Sequence, residues 1–238
     1  MSRKVMISPL FKFPIPWMDK FYENWNALGD DWQHLIFTDR NLVSKGNIKV
    51  YRMNAESFTT LVEKKTGVSP FVPAPSPKFG DMRPAFGLIF EDWIKGFDFW
   101  GHCDFDIVCG DLNKYATEEV LAGCDIFSTE PKEVNGIFSL YRNNDVVNNF
   151  FKQYEGWQYI FTDEGYHAFD EQAFSRLVMQ KAKEGTIRFH GAFYQEHDKQ
   201  DIHNPTPQLS IKDGRLVNRA TGAEMMLFHF RRTKQWPL

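Results

Sequence analysis

The sequence predicts an α/β fold: a single Rossmann-like domain with a mainly parallel central sheet, helices on both faces and a small antiparallel portion. Three observations lead to this prediction. Short β-rich runs alternate with segments of helical period through the first half of the chain, which is typical of parallel sheets. The 238 residues suit one large domain and contain no repeat or linker that would separate independent domains. A hairpin signal near the C-terminus indicates the antiparallel portion.

The first half of the chain, residues 1–112, has the clearest alternation. Apolar residues recur at a helical spacing in two segments, and Gly67 ends the second of these helices. The proline-rich segment 69–81 excludes a regular element over most of its length, and Pro84 suits the first turn of the next helix. Predicted strands cover residues 4–8, 32–38 and 48–53, predicted helices cover residues 17–28, 56–66 and 84–94, and an apolar run covers residues 97–108.

The second half, residues 113–238, contains shorter apolar runs bounded by turn residues. Asp213-Gly214 forms the turn signal of the predicted hairpin 209–219. Predicted strands cover residues 125–129, 136–141 and 187–193, and predicted helices cover residues 145–154 and 171–183.

The bulk composition excludes several classes of protein. The net charge is −3, so no general electrostatic field attracts nucleic acid. No stretch reaches the ~20 apolar residues of a membrane span, and the N-terminal apolar run, broken by Pro9, reads as a first strand rather than a signal peptide. The three cysteines are too few and too far apart for a cysteine zinc site and indicate a reducing compartment. We therefore expect a cytoplasmic protein.

An apolar run in the middle of the chain contains closely spaced carboxylates. In WGHCDFDIVCGDL, Asp104 and Asp106 are two residues apart and Asp111 follows Gly110. On an extended segment such a pair points to one side, and open α/β sheets bind ligands at the carboxyl ends of their strands. Two adjacent carboxylates repel unless a cation lies between them, and Mg²⁺ or Mn²⁺ prefers oxygen ligands. The pattern predicts a divalent metal site; the alternative is that Asp104 caps a turn and Asp106 meets solvent.

This strand followed by D-x-D resembles the metal site of nucleotide-sugar glycosyltransferases of the GT-A fold. The whole block from Asp81 to Asp111 resembles a group of bacterial and phage-associated proteins regarded as glycosyltransferases. The resemblance implies a GT-A domain over residues 1–238, with residues 1–112 binding the nucleotide sugar and residues 113–238 binding the acceptor. It also implies Mn²⁺ or Mg²⁺, a UDP-sugar donor, and a saccharide or lipid-linked saccharide acceptor in surface polysaccharide or glycoconjugate synthesis.

The C-terminal segment FHFRRTKQWPL resembles the H-x-x-G-x-x-K-P-W segment of glycogenin-like and lipopolysaccharide galactosyltransferases. By that similarity His229 is a third metal ligand and Lys234 contacts the diphosphate. The spacing is one residue shorter and the glycine is absent, so Arg231 or Arg232 could replace Lys234. The alternative is an ordinary strand followed by a basic tail. Because this tail is basic and contains Trp236, contact with a membrane surface is a further hypothesis.

Two other segments resemble sugar-binding signals of the same enzymes. Asn135 and Gly136, in VNGIFSLY, resemble an N-S-G strand without its serine, and a glycine there allows close approach of a sugar to the backbone. Asp170 and Glu171 resemble an acidic pair that opens a helix, and they fit better than Asp163-Glu164 because an amphipathic helix follows them. Either could be the catalytic base if the reaction inverts the anomeric centre. Asp170 could equally be only a helix N-cap.

Three charged residues complete the predicted donor site. Asp39 ends the second predicted strand, where a carboxylate can accept a hydrogen bond from a base or a ribose; it could also begin a turn. Lys78 and Arg83 flank the proline-rich segment and are candidates to neutralise a diphosphate. A solvated basic pair is the alternative.

The predicted activity is metal-dependent glycosyl transfer, and two other functions compete with it. DFDIV also fits D-x-D-x-[TV], the nucleophile loop of haloacid-dehalogenase-type phosphatases, but that loop normally ends the first strand of its sheet. A non-catalytic saccharide-binding protein is the third possibility, because the 23 phenylalanines and 7 tryptophans suit a binding groove as well as a core. Such a protein would bind sugar equally well in the presence of a chelator.

Overall fold

The computed structural model describes residues 1–74, 76–197, 208–231 and 235–238, and its centre is a seven-stranded sheet. In chain order, the strands of the described residues are β1 Lys4–Leu10, β2 Trp32–Thr38, β3 Ile48–Arg52, β4 Phe99–Cys103, β5 Ile107–Cys109, β6 Ile126–Ser128, β7 Phe138–Arg142, β8 Phe189–Gly191, β9 Gln195–His197, β10 Leu209–Lys212, β11 Arg215–Asn218, β12 Glu224–Met225 and β13 Leu227–His229.

The central sheet has the strand order β3-β2-β1-β4-β7-β6-β8. Strand β7 is antiparallel to both of its neighbours, and the other pairings are parallel. This arrangement confirms the mainly parallel sheet with a small antiparallel portion. The carboxyl ends of β1, β2 and β4 therefore lie at one edge, where an α/β sheet binds its ligands.

The helices cover both faces of this sheet. Val5 and Ile7 belong to one apolar cluster while Met6 belongs to another, as expected when neighbouring strand residues point to opposite faces. The α-helices are α1 Met18–Asn26, α2 Ala55–Thr66, α3 Phe86–Ile89, α4 Glu118–Gly123, α5 Asp145–Asn148, α6 Trp157–Thr162 and α7 Ser175–Lys183; 3-10 helices cover Pro77–Ala85, Leu112–Lys114 and Phe150–Gln153, and a π turn covers Asp170–Phe174.

Several predicted helices differ from the structure around the prolines. Of the helix predicted at 84–94, only α3 is α-helical: residues 84 and 85 end a 3-10 helix, Pro77–Ala85, and α3 ends at Ile89. Ser76 caps the 3-10 helix through a bond from the Lys78 amide, so regular structure begins inside the proline-rich segment. The prediction for 145–154 is wrong in the same way, because α5 ends at Asn148 and a 3-10 turn follows. Helices α4 and α6 were not predicted.

Two small sheets lie beside the central one. Strands β10, β11 and β12 form the first, and Asp213 and Gly214 adopt positive φ angles of 52° and 75° at its turn, which confirms the predicted hairpin. Strands β5, β13 and β9 form the second. It pairs the C-terminal strand β13 with β5, which directly follows the two carboxylates.

Candidate metal centre and cleft

Asp104 and Asp106 lie in the short connection between β4 and β5, and not on a strand as their spacing suggested. The Asp104 amide donates to the Ile137 carbonyl at 3.0 Å. Between the aspartates, the Phe105 carbonyl accepts a bond of 2.7 Å from Trp17 Nε1, and the Phe105 ring packs on Phe21. These contacts fix the backbone on both sides of each carboxylate.

His229 reaches this connection through strand pairing. Strand β13 runs antiparallel to β5, with His229 opposite Ile107, and the next amide, that of Phe230, donates to the Asp106 carbonyl at 2.9 Å. The imidazole is buried and its Nε2 lies 3.3 Å from Asp106 Oδ1 and 3.9 Å from Asp104 Oδ2. The structure thus brings together three residues that are up to 125 positions apart in the sequence.

The chemistry of this group fits a divalent cation. The ligand atoms of Asp104, Asp106 and His229 all lie within 4.8 Å of one another, and ligands about 2.1 Å from an octahedral ion are separated by roughly 3–4 Å. Within the part of the chain that the structure describes, the buried His229 Nε2 has no hydrogen-bond partner, although it faces two carboxylates. A buried polar atom in that condition is costly unless something binds it. Two carboxylates and an imidazole can together hold a divalent metal ion.

The metal group opens into a cleft of about 850 Å³. Residues from both halves of the chain line it, including the ends of β1 and β4. The lining also includes Phe13 and Trp17 of the loop that follows β1, and Arg83, Tyr166 and Glu171. Arg231, two residues beyond the imidazole, is exposed and also lines the cleft.

Arg83 connects the metal group to the second predicted acidic pair. Its guanidinium donates to Asp104 Oδ1 at 2.6 Å, to Asp170 Oδ2 at 3.1 Å and to the Gly136 carbonyl at 2.7 Å. Glu171 Oε1 accepts the Gly136 amide at 3.2 Å. Four of the predicted site residues therefore form one hydrogen-bonded cluster around Arg83.

Position 136 needs a glycine because the surrounding side chains leave no room for a Cβ atom. A Cβ atom at this position would lie 2.7 Å from Glu171 Oε1 and 3.0 Å from both Arg83 Nη1 and Asp170 Oδ2. The sequence suggested that a glycine here lets a sugar approach the backbone. In the structure, the side chains of the cluster around Arg83 approach the backbone at this position.

Asp170 lies at the start of the π turn and is fully buried. Burial raises the pKa of its carboxyl from 3.8 to about 6, outweighing the opposing attraction of Arg83, and the neighbouring Glu171 charge adds to the increase. Because Asp170 is enclosed and bound to Arg83, we assign it to positioning rather than to contact with substrate. Glu171, in contrast, lines the cleft.

Asp170 makes a testable contribution to the pH dependence of stability. Its native pKa of about 6 exceeds the ordinary 3.8, so the native state holds this proton longer than the unfolded state. As pH rises from about 4 to about 6, the free energy of unfolding of the wild type should fall relative to that of Asp170→Asn, by on the order of 3 kcal/mol. Urea titrations of both proteins across this range measure the difference. A pH-independent difference would contradict the assignment.

Other predicted site residues have structural partners. Lys78 does not line the cleft: its buried ammonium is bound to Asp81, so we assign it no role in diphosphate binding. Asn135 is buried, and its side chain bonds Thr129 and the Ile137 amide. Asp39 Oδ1 accepts the Lys12 amide at 3.0 Å, which places it beneath the loop after β1.

The C-terminal tail is described only in part. Lys234 and Arg232 lie outside the described residues. Trp236 packs its ring 5.6 Å from that of Phe230, which in turn contacts Trp17. This tryptophan therefore contributes to the packing behind the metal group.

Sequence reasoning missed two aromatic residues of the cleft. Phe13 is 56% exposed and Tyr166 is 47% exposed, yet both line the cavity. A signal for Phe13 existed, because the segment FKFPIPW follows a strand and contains prolines that exclude a helix. No sequence signal places Tyr166, because its position depends on contacts with a distant segment.

Two solved structures resemble this fold. Mouse xyloside xylosyltransferase 1, in its apo form, matches with a TM-score of 0.52 and 10% sequence identity over 98% of this chain and 99% of that chain. The galactosyltransferase LgtC, in complex with donor and acceptor sugar analogs, matches with a TM-score of 0.48 and 10% identity over 95% of this chain and 87% of that chain. The first likeness confirms the predicted GT-A fold.

The sequence itself has one family assignment. No curated protein matches it. Among the helices of the described ranges, none has both the length and the apolar character of a membrane span. One family model, that of a family of unknown function, matches residues 14–235. The match spans most of the chain, which therefore belongs to the family DUF6625.

Proposed function

We propose that this protein is a metal-dependent glycosyltransferase that moves a sugar from a nucleotide diphosphate to an acceptor hydroxyl. The observation that carries the proposal is the group of Asp104, Asp106 and His229 at the carboxyl edge of the sheet, inside a cleft large enough for a nucleotide sugar. The GT-A fold shared with a xylosyltransferase supports it. A UDP-sugar is the proposed donor and a saccharide or lipid-linked saccharide the proposed acceptor.

The part of the cleft next to Asp104, Asp106 and His229 would hold the diphosphate. When bound, a divalent ion supplies positive charge against the leaving diphosphate. Asp104, Asp106 and His229 would hold that ion. Arg231 lines the cleft and would contact the phosphates, in the role predicted for Lys234.

The part of the cleft around Arg83 would hold the reacting sugar. A sugar joined to the metal-bound diphosphate lies beside Arg83, whose guanidinium is fixed by Asp104 and Asp170 before substrate arrives. Fixed polar groups orient a substrate without reorganisation during reaction. For an inverting transfer, Glu171 is the carboxylate placed to act as the base, because it lines the cleft whereas Asp170 is enclosed.

The phosphatase alternative has less support. Its nucleophilic aspartate should end the first strand of the sheet, whereas Asp104 follows β4. Asp104 Oδ1 is also ion-paired with Arg83 at 2.6 Å, which leaves only Oδ2 for attack on a phosphate. The metal-independent saccharide binder remains distinguishable by experiment, because its binding would survive removal of the metal.

A thermal-shift screen tests the proposal. Nucleotide sugars are added to the wild type and to Asp106→Asn, with Mn²⁺ or with a chelator. A donor present at 100 times its Kd should raise Tm by roughly 5–10 °C, and the shift should require both the metal and Asp106. A shift that persists in chelator would support the inert binder, and hydrolysis of simple phosphomonoesters without nucleotide-sugar binding would support the phosphatase.

Phe13 should provide a stacking surface for the base. It is an exposed aromatic ring in the loop after β1, and it lines the cleft. Phe13→Ala should weaken nucleoside diphosphate binding in Mg²⁺ about tenfold, the effect of losing one stacked base. Calorimetric titration measures this, with Tyr159→Ala as the control because Tyr159 is exposed but outside the cleft lining. Equal affinity in wild type and Phe13→Ala would place the base elsewhere.

A further inference from the structure

A buried ion pair holds the segment that joins α6 to the π turn, residues 163–169. Lys78 and Asp81 are both at most 1% exposed, and their charged groups are 2.9 Å apart. The Lys78 ammonium also donates to the carbonyls of Ile160, at 2.5 Å, and Gly165, at 2.7 Å. All three of its hydrogens thus have an acceptor.

The carboxylate of the pair binds the same segment from the other side. Asp81 accepts the amide of His167 at 3.1–3.2 Å and the amide of Phe169 at 2.9 Å. Between these two amides, Ala168 has a φ of 49°, a left-handed conformation that is unfavourable for alanine. Burying two charges costs desolvation free energy. One role of such a buried pair is to specify a single local geometry. Here the geometry specified is the path of residues 165–169.

Tyr166 is the side chain that this path presents to the cleft. Its ring lies directly over Gly80, where an added Cβ would be 3.2 Å from Tyr166 Cε2 and 3.3 Å from its hydroxyl oxygen. Burial, with the nearby charge of Asp170, raises the pKa of the Tyr166 hydroxyl, which therefore stays a neutral hydrogen-bond donor. The result is an aromatic face beside the polar cluster of Arg83 and Glu171.

We propose, resting on the proposed function, that Tyr166 forms one wall of the acceptor site and recognises a saccharide ring, and that the Lys78–Asp81 pair positions it. A saccharide offers an apolar face of C–H groups and a rim of hydroxyls, which an aromatic ring beside carboxylates and a guanidinium complements. The donor sugar, tied to the diphosphate, lies at Arg83. Gly80 precedes Arg83 by one turn of the same 3-10 helix, so Tyr166 borders the neighbouring part of the cleft.

Saccharide binding without any nucleotide tests the wall directly. Saturation-transfer NMR uses a panel of methyl hexosides, methyl pentosides and their disaccharides with the wild type, Tyr166→Ala and Phe193→Ala. Phe193 is the matched control because it is 79% exposed and outside the cleft lining. We expect at least one saccharide to bind the wild type and Phe193→Ala, and its Kd to rise about tenfold in Tyr166→Ala, the order of one lost aromatic contact. Equal binding by Tyr166→Ala, or no binding by the wild type, overturns the proposal.

Two variants test the positioning role. In Asp81→Asn, the amides of His167 and Phe169 should exchange hydrogen faster and saccharide affinity should fall. Because Asp81→Asn could unfold, Gly80→Ala is the second variant: its methyl group would lie 3.2–3.3 Å from the Tyr166 ring, which must shift by a few tenths of an ångström, and its nearest neighbours are all atoms of Tyr166 and not of the ion pair. It should weaken saccharide binding without faster exchange at the two amides. Unchanged saccharide affinity in Gly80→Ala and in a folded Asp81→Asn overturns the positioning role.

The two experiments distinguish failure of the saccharide-wall proposal from failure of the proposed transferase function. A metal-dependent thermal shift with a nucleotide sugar, but no saccharide binding, retains the transferase and rejects Tyr166 as a saccharide wall. Saccharide binding that requires Tyr166, with no shift by any nucleotide sugar, supports the wall and rejects the transferase.

Discussion

Asp106→Asn is expected to lower kcat/KM for glycosyl transfer about a thousandfold, which corresponds to about 4 kcal/mol of lost transition-state stabilisation. Asp106 is the buried carboxylate of the metal group, with Oδ1 3.3 Å from His229 Nε2. Asparagine keeps its volume and removes its charge, so the metal group loses one of its two carboxylates. The loss should appear as weaker Mn²⁺ activation and a lower kcat, measured by transfer assays across a metal titration.

The control for this substitution is Asp111→Asn. Asp111 is an exposed aspartate five residues later that caps a 3-10 turn by accepting the Asn113 amide, and asparagine caps equally well. Its activity should remain within about twofold of the wild type, as for surface substitutions away from a site. If Asp106→Asn behaved like Asp111→Asn, the proposed metal centre would be wrong.

Arg83→Gln is expected to destabilise the fold substantially. The substitution removes the cation shared by Asp104 and Asp170 and leaves buried carboxylate charge without a partner. Breaking a fully buried pair costs about 3–5 kcal/mol; because Arg83 is 21% exposed, we expect about 2–3 kcal/mol. For a chain of this size that is a fall in Tm of roughly 5–10 °C.

The pH dependence of this effect identifies its cause. Arg83 opposes the burial that raises the pKa of Asp170, so its removal raises that pKa further. At pH 5 Asp170 is then protonated and needs no counter-charge, and the destabilisation should be smaller than at pH 8. Arg188→Gln is the control, since Arg188 pairs with Asp125 at the surface and should contribute about 0–1 kcal/mol. A deficit that does not change with pH would indicate lost packing instead of unpaired charge.

The central sheet could be predicted because its information is local. Strand β2 follows the predicted bounds, and α2 differs from its prediction by one residue, because Asn54 caps its start and Gly67 ends it. The segments where prediction was wrong are those where local preference is weak. Residues 77–89 divide between a 3-10 helix and a single α turn, and prolines at both ends leave helix length to tertiary packing.

The candidate site also has features that the sequence predicts and features that only the structure reveals. The D-x-D spacing and the late histidine are visible in the sequence, and the structure brings the ligand atoms of these three residues within 4.8 Å of one another. Lys78 and Arg83 look equivalent in the sequence, since each is a cation beside prolines. Only the structure separates them, by burying Lys78 against Asp81 and directing Arg83 to Asp104.

The sequence by itself therefore determined the fold class, the order of the sheet-forming segments and the residue types of the metal group. The fold class, the strand segments and the carboxylate pair follow from periodicity and from spacing over a few residues, which local backbone geometry fixes. His229 followed only from the resemblance of the C-terminal segment to glycosyltransferases. The tertiary structure alone decided which charged side chains line the cleft and which form ion pairs with each other. Residues 81 and 167, or 83 and 170, are in contact because distant segments pack together, and no periodicity within either segment specifies that contact.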